Sequence, residues 1–274
     1  MINKFISLFL AILFFAACKE QPIVIPPLKA PTLGNRKILV EEFTGVQCVN
    51  CPDGSAEIES LKNLYSENLV SVSIHAGFFS TPFVGHSDFR TQDGNEITAY
   101  ICSPDLEPDG YPAASINRTL FGGESFRYVN RSKWAAYIQQ ESVVEPKISV
   151  AVQNTYDAAT RQLTVTTTLV PTLALQGSHN VTVLLTENDI IDKQKTGAGE
   201  VENYKHKHVF RKCLSAATGT EIGNGLKAGI PIVKTFTLTL PAAWKAENCE
   251  IVAFAHRNDG TRKEVLQVAE KKIL

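Results

Sequence analysis

Apolar and polar residues alternate along 69–75, Leu-Val-Ser-Val-Ser-Ile-His, and the run 37–43, Lys-Ile-Leu-Val-Glu-Glu-Phe, is similarly β-rich. A period of two over such lengths is that of a strand. Between the two runs the period changes. From 51 to about 65, Ala56, Ile58, Leu61, Leu64 and Tyr65 recur at helical spacing, and Pro52 sits where a first helical turn tolerates proline. Strand, helix and strand this close together predict a βαβ unit with parallel strands. A Gly-, Phe-, Ser- and Asp-containing stretch then leads to a short helix near 95–101. A strand at 113–118 follows Tyr111-Pro112, then a Gly122-Gly123 turn, a short strand near 125–129 and an amphipathic helix from 132 to about 140. The predicted order is βαβαββα.

Past Pro146 the helical period disappears. Val-, Thr- and Ile-rich runs at 147–155, 161–170, 179–187, 205–211, 232–240, 249–257 and 264–272 are separated by Gly, Asn and Asp. Short strands at this spacing predict an antiparallel β-sandwich of immunoglobulin or fibronectin type. The domain plan is therefore an α/β unit over 36–144 and an all-β sandwich over 145–274.

The first residues follow a different pattern. Lys4, an apolar run over 5–15 and the small residues Ala16-Ala17 precede Cys18, the arrangement of a cleavable export signal too short for a permanent span. Small residues directly before a cysteine resemble a bacterial lipobox, which implies a signal peptide over 1–17 and a lipid on Cys18; Phe15 stands where leucine is usual. Pro22, Pro26, Pro27 and Pro31 make 19–35 a tether between membrane and domain.

With 274 residues, 44% of them apolar and 20% charged, the chain is long enough for two ordinary cores. A formal net charge of -1 supplies no basic field for phosphate backbones, which argues against nucleic acid as a partner. Membrane contact rests on the lipid anchor alone. Of six cysteines, five remain once Cys18 is lipidated, so at least one is unpaired.

Cys48-Val49-Asn50-Cys51 lies at a strand-to-helix junction. Disulfide exchange needs an exposed, stabilised thiolate close to a resolving thiol, and a cysteine at a helix N-terminus has unpaired N–H groups and the helix dipole to stabilise its sulfur. A structural zinc site usually takes a second cysteine pair, and the sequence has none, so no metal or organic cofactor is expected here. A purely structural disulfide is the competing reading.

Three further features resemble thioredoxins: Pro52 directly after the second cysteine, Glu42 six residues before the first, and Tyr111-Pro112 at the start of the third strand. The βαβαββα order has the same resemblance, and implies a thioredoxin-like first domain. In that superfamily the acid helps move protons during exchange and the proline is cis, facing the cysteines and shaping the substrate groove. Gln47, where an aromatic is usual, and Val49-Asn50, instead of Gly-Pro, depart from the pattern. Over nearly the whole mature chain the sequence resembles the outer-membrane-protein-28-related lipoproteins of Bacteroidetes-type bacteria. This rests on the lipobox, on 40–45 running into Cys48 through Pro52, on Tyr111-Pro112-Ala113 and on 204–211.

The resemblances imply a lipoprotein of the cell envelope, held in the outer membrane. Its expected activity is thiol–disulfide exchange on proteins, as oxidoreductase or isomerase, with a partner redox protein supplying electrons. Cys48 attacks, Cys51 resolves, Glu42 assists proton transfer and Pro112 shapes the groove. The alternative is a non-catalytic surface binding or adhesion protein on the same scaffold.

Weaker signals remain. His206 and His208, two apart on an expected strand, share a face and approach a metal-ligand trio only if Glu202 joins them; an exposed polar face is the simpler reading. Cys213 and Cys249 are a candidate disulfide across the sandwich, against two buried thiols. Cys102 is either a third redox thiol or a packed core residue. His75, Phe78, Phe79 and Phe83 would form either an apolar lip beside the cysteine pair or an ordinary packed loop. Asn117-Arg118-Thr119 matches a glycosylation acceptor that has little meaning in a bacterial lipoprotein.

Overall fold

The computed structural model describes residues 36–274; the expected signal, the lipidated Cys18 and the tether lie outside the described residues. Strand β1 (Ile38–Thr44) and strand β2 (Leu69–His75) are parallel and in register from Ile38↔Leu69 to Thr44↔His75. They are joined through helix α1 (Cys51–Tyr65), which starts with Pro52 in its first turn. Helix α2 (Gln92–Cys102) starts three residues before its expected position, because the Thr91 hydroxyl accepts from the Gly94 N–H at 2.9 Å and caps it. Strand β3 (Ala113–Ile116) runs antiparallel to β1, strand β4 (Tyr128–Asn130) pairs with β3, and helix α3 (Trp134–Ser142) closes this half.

The alternation in β1 and β2 places opposite sets of side chains on the two faces. Ile38 and Val40 meet Ile58, Leu61, Trp134 and Ile138 of α1 and α3, whereas Leu39, Phe43, Val70, Val72 and Ile74 meet Ile97 and Ile101 of α2. Glu41 falls on the α2 side. It is fully buried and held by Arg118, with Nε to Oε2 at 2.8 Å and Nη2 to Oε1 at 2.5 Å, a forked geometry that offsets the desolvation of both charges.

The second half contains ten strands where seven were expected. They are β5 (Ile148–Asp157), β6 (Gln162–Pro171), β7 (Leu175–Glu187), β8 (Ile190–Thr196), β9 (Gly199–His206), β10 (Val209–Cys213), β11 (Thr220–Leu226), β12 (Ile232–Thr239), β13 (Cys249–Arg257) and β14 (Val265–Lys272). The single run expected over 205–211 is two strands, divided where His208 takes a left-handed φ of 52°. Strands β8 and β11 have no apolar alternation to reveal them: β8 reads Ile-Ile-Asp-Lys-Gln-Lys-Thr and β11 carries Gly223 and Gly225.

Strands β12, β6 and β5 form a three-stranded sheet whose inward residues, including Leu163, Val165 and Leu169, pack against Val183, Leu185, Ile251 and Ala253. The opposing layer does not belong to the second half alone. One mixed sheet runs β14-β13-β7-β10-β2-β1-β3-β4, with β11 also on β7, and so crosses the expected boundary at 144/145. The junction is β10, which pairs antiparallel with β7 and parallel with β2 at Val209↔Ser73. Leu184, Phe210, Val252 and Phe254 accordingly share a core with β2 and α2. The chain is mixed α/β, mostly β. No described helix is long and apolar enough to cross a membrane.

Candidate functional site

Thr44-Gly45 ends β1 and the chain turns at once into the cysteine pair. Gly45 is required there: a Cβ would lie 2.3 Å from the carbonyl oxygen of Phe79, whose oxygen also accepts from the Gln47 N–H at 2.9 Å. The turn is closed by the Cys48 N–H on the Gly45 carbonyl at 3.0 Å, and Cys48 and Cys51 are joined in a disulfide with Cα atoms 5.4 Å apart. Asn50 caps α1 by position only, since its side chain makes no capping bond.

Both cysteines are buried, Cys48 3% and Cys51 1% exposed, although the intervening Val49 and Asn50 face solvent. The cover is the β8–β9 hairpin. The Gln194 side-chain amide, itself buried, donates to the carbonyls of Cys48 (3.1 Å), Gly45 (3.2 Å) and Lys195 (2.9 Å), and the Lys195 N–H donates to the Val46 carbonyl at 2.8 Å. Around the hairpin's base, His86 and Asp192 lie 2.6 Å apart and Lys193 stands over the Phe83 ring. No motif marks Gln194 in the sequence, and its position follows from the pairing of β8 with β9.

Behind the disulfide, Glu42 is fully buried on the α1 side of β1. Its Oε2 accepts from the Ser73 hydroxyl at 2.9 Å, and Oε1 has no partner. Burial pushes its carboxyl up to about 7, against a smaller lowering by that hydroxyl. Tyr111-Pro112 is cis. Pro112 and Glu42 meet α1 at Gly54, where an added Cβ would lie 2.8 Å from the proline Cγ and 3.0 Å from the Glu42 Oε1. Glu42, Pro112 and the cysteines are thus gathered at the start of α1.

Between α1 and the hairpin lies a cleft of about 280 Å³, reached by Glu42, Cys51, Pro52 and Ser55 from one side and Gln194 and Tyr204 from the other. His75 and His206 also face it, both packed on Phe89 with ring centroids 5.0 and 4.9 Å away. Burial pushes the first down to about 3 and the second to about 4, so both are neutral at neutral pH.

Other expected groupings do not form. His206 and His208 both reach the cleft but hold different partners, His206 packing on Phe89 and Tyr204 and His208, at a left-handed turn, lying 3.1 Å from Glu59; Glu202 pairs with Lys193 at 2.8 Å and lies 3.8 Å from His86. Cys213 and Cys249 are separate buried thiols. They sit on β10 and β13, which flank β7 on opposite sides, and their side chains enter cores on opposite faces of the sheet, so the bridge has no geometry to form. Cys102 is fully buried beside α2's core partners, and burial pushes its thiol up to about 12, which suits packing and opposes redox chemistry. The aromatic loop splits: Phe78 is exposed, whereas Phe79 packs edge-on against Tyr111.

A family model described as outer membrane protein Omp28 matches residues 104–274, well over half of the chain, and leaves the cysteine pair outside the match. Among solved structures, HBP35 of Porphyromonas gingivalis superposes with a TM-score of 0.69 at 16% identity, over 89% of this chain and 76% of its own. A structural-genomics protein of Agrobacterium tumefaciens gives 0.53 at 14% identity, over 87% and 95%. A domain of the outer membrane lipoprotein Omp28 from Porphyromonas gingivalis gives 0.32 at 21% identity, over 48% and 91%. No curated protein matches the chain.

Proposed function

The chain belongs to the Omp28 family of outer membrane proteins, and from that premise we propose that it is a non-catalytic binding lipoprotein of the outer membrane, built on a thioredoxin-like scaffold. In this reading residues 36–144 are the scaffold, 145–274 a β-sandwich fused to it, and Cys18 carries the lipid that ties the whole to the membrane. The Cys48–Cys51 disulfide is a structural clip that fixes the start of α1. The observation that carries the reading is the burial of both sulfur-bearing residues beneath the hairpin, since exchange requires a sulfur that an incoming thiolate can attack in line. The open surface is the cleft along Tyr204, where a polar ligand or peptide would find Lys205, Lys207 and Glu59 at its rim.

Insulin reduction by the mature chain, run beside Cys48→Ser, tests this. The expected result is the same turbidity rate for both. A rate for the native chain about tenfold or more above Cys48→Ser would overturn it.

One observation favours a second reading, thiol–disulfide exchange on envelope proteins with a redox partner protein. Glu42 is a buried carboxyl tuned to about 7 behind the cysteines, the acidity suited to passing protons at neutral pH. In that case Cys48 attacks, Cys51 resolves, Pro112 shapes the groove, and the β8–β9 hairpin is a lid that must lift first.

A further inference from the structure

Further along α1, toward its C-terminal end and adjoining the cleft at Glu59, Lys207 and His208, a broad polar groove is lined by six carboxylates and three lysines. At its floor three potential ligands converge from three segments of the chain. One ring nitrogen of His208 and one carboxylate oxygen from each of Glu250 and Glu270 lie within 4.8 Å of one another. Glu250 and Glu270 are diagonal neighbours on the antiparallel pair β13–β14, where Glu250 is opposite Lys272 and Val252 opposite Glu270. His208 reaches them from the left-handed turn before β10.

The groups around this cluster are arranged as supports. Nε2 of His208 is 3.1 Å from Glu59 Oε1, which leaves Nδ1 as the free nitrogen; it is buried, and it has no hydrogen-bond partner, in a residue only 8% exposed. Oε1 of Glu270 is likewise buried and unpartnered. Asn188 ties two of the ligands together, its Oδ1 accepting from the His208 N–H at 2.8 Å and its Nδ2 donating to Glu250 Oε2 at 2.8 Å. Two of the three clustered residues thus each keep a buried polar atom without a partner, a donor set suited to a cation.

We propose that His208, Glu250 and Glu270 form a Zn²⁺ site, with Nδ1 of His208 and one oxygen of each glutamate as ligands and water completing the shell. An imidazole among the ligands selects a borderline metal over Ca²⁺ or Mg²⁺, which take oxygen. Zinc–ligand distances of about 2.0–2.2 Å ask the three atoms to draw together by about 1 Å. Glu59 then serves as the carboxylate that orients a metal-bound histidine through its other nitrogen, and Asn188 as the corresponding partner of Glu250. The ion joins the C-terminal strand pair to the root of the hairpin that covers the disulfide.

The test is calorimetric titration of ZnCl₂ into the untagged mature chain, with CaCl₂ and MgCl₂ in parallel and circular dichroism to confirm each variant's fold. One equivalent of Zn²⁺ is expected to bind in preference to Ca²⁺ and Mg²⁺. Binding should be lost in His208→Ala, weakened about tenfold or more in the near-isosteric Glu270→Gln, and unchanged in His206→Ala. X-ray absorption of the loaded protein should show one imidazole, oxygen ligands and no sulfur. The assignment fails if the native chain takes up no Zn²⁺, if folded His208→Ala binds undiminished, or if the loss appears in His206→Ala instead. Should His208→Ala not fold, undiminished binding by Glu270→Gln is sufficient to overturn it.

Discussion

Three buried side chains around the cleft titrate in opposite directions, and their signs set how stability depends on pH. Glu42 holds its proton up to about 7 when folded against 4.5 when unfolded, so the unfolded state ionises first and stability falls as pH rises through that window. The full cost, about 3 kcal/mol for a shift of this size, is present above pH 7. His75 and His206 are pushed down from 6.5 to about 3 and about 4. Their unfolded forms take up protons first, and stability is lost as pH falls below 6.5. With two histidines outweighing one acid below 6.5, the melting temperature should peak near that pH. Glu42→Gln is expected to abolish the fall on the alkaline side and to steepen the acid limb, which Glu42 opposes between 4.5 and about 7; an unchanged profile, read by calorimetry from pH 5 to 9, would show that Glu42 does not titrate as argued.

At the scale of elements, the β8–β9 hairpin decides what the cysteine pair can do. Gln194 contributes two hydrogen bonds to the cysteine turn, each worth about 1 kcal/mol net. Gln194→Ala should therefore raise the rate at which dithiothreitol reduces the native Cys48–Cys51 disulfide by about tenfold or more, followed by alkylation and mass spectrometry. Equal rates would mean that the hairpin does not control access. The same hairpin marks where reading the sequence reaches its limit. Strands β1 and β2 and helix α1 are legible because their side chains repeat with the period of the element and because Pro52 and Thr44-Gly45 punctuate them. Glu42, Pro112 and the cysteines come together for the same local reason, two strands and a helix converging at one end. Strands β8 and β9 bury only Gln194 and His206, so no period is imposed on them. Gln194 reaches the site only through pairing that brings residues distant in sequence together. The end of β9 before His208 is equally hidden, because its left-handed turn is taken by a residue type that gives no warning of it.

On the scale of the whole molecule, the shared sheet makes the two halves one cooperative unit. Val70, Val72 and Ile74 of β2 share a core with Leu184, Phe210, Val252 and Phe254, so a fragment of residues 36–144 exposes a face that the intact chain buries. The mature chain should unfold in a single calorimetric transition, and the fragment should show none. A cooperative melt of the isolated fragment would restore two independent domains. The hairpin that covers the disulfide, and the proposed zinc ligands, come from residues after 185, so residues 36–144 alone lack both.

The parallel pairing of β10 with β2 has a further consequence in time. A chain exported from its N-terminus delivers β1, α1 and β2 well before Val209 is available to sit beside Ser73. During that interval the outer edge of β2 is an unpaired template for any neighbouring strand. Safe passage through the envelope thus depends on how quickly the final third of the polypeptide follows, or on a chaperone that occupies the edge until it does.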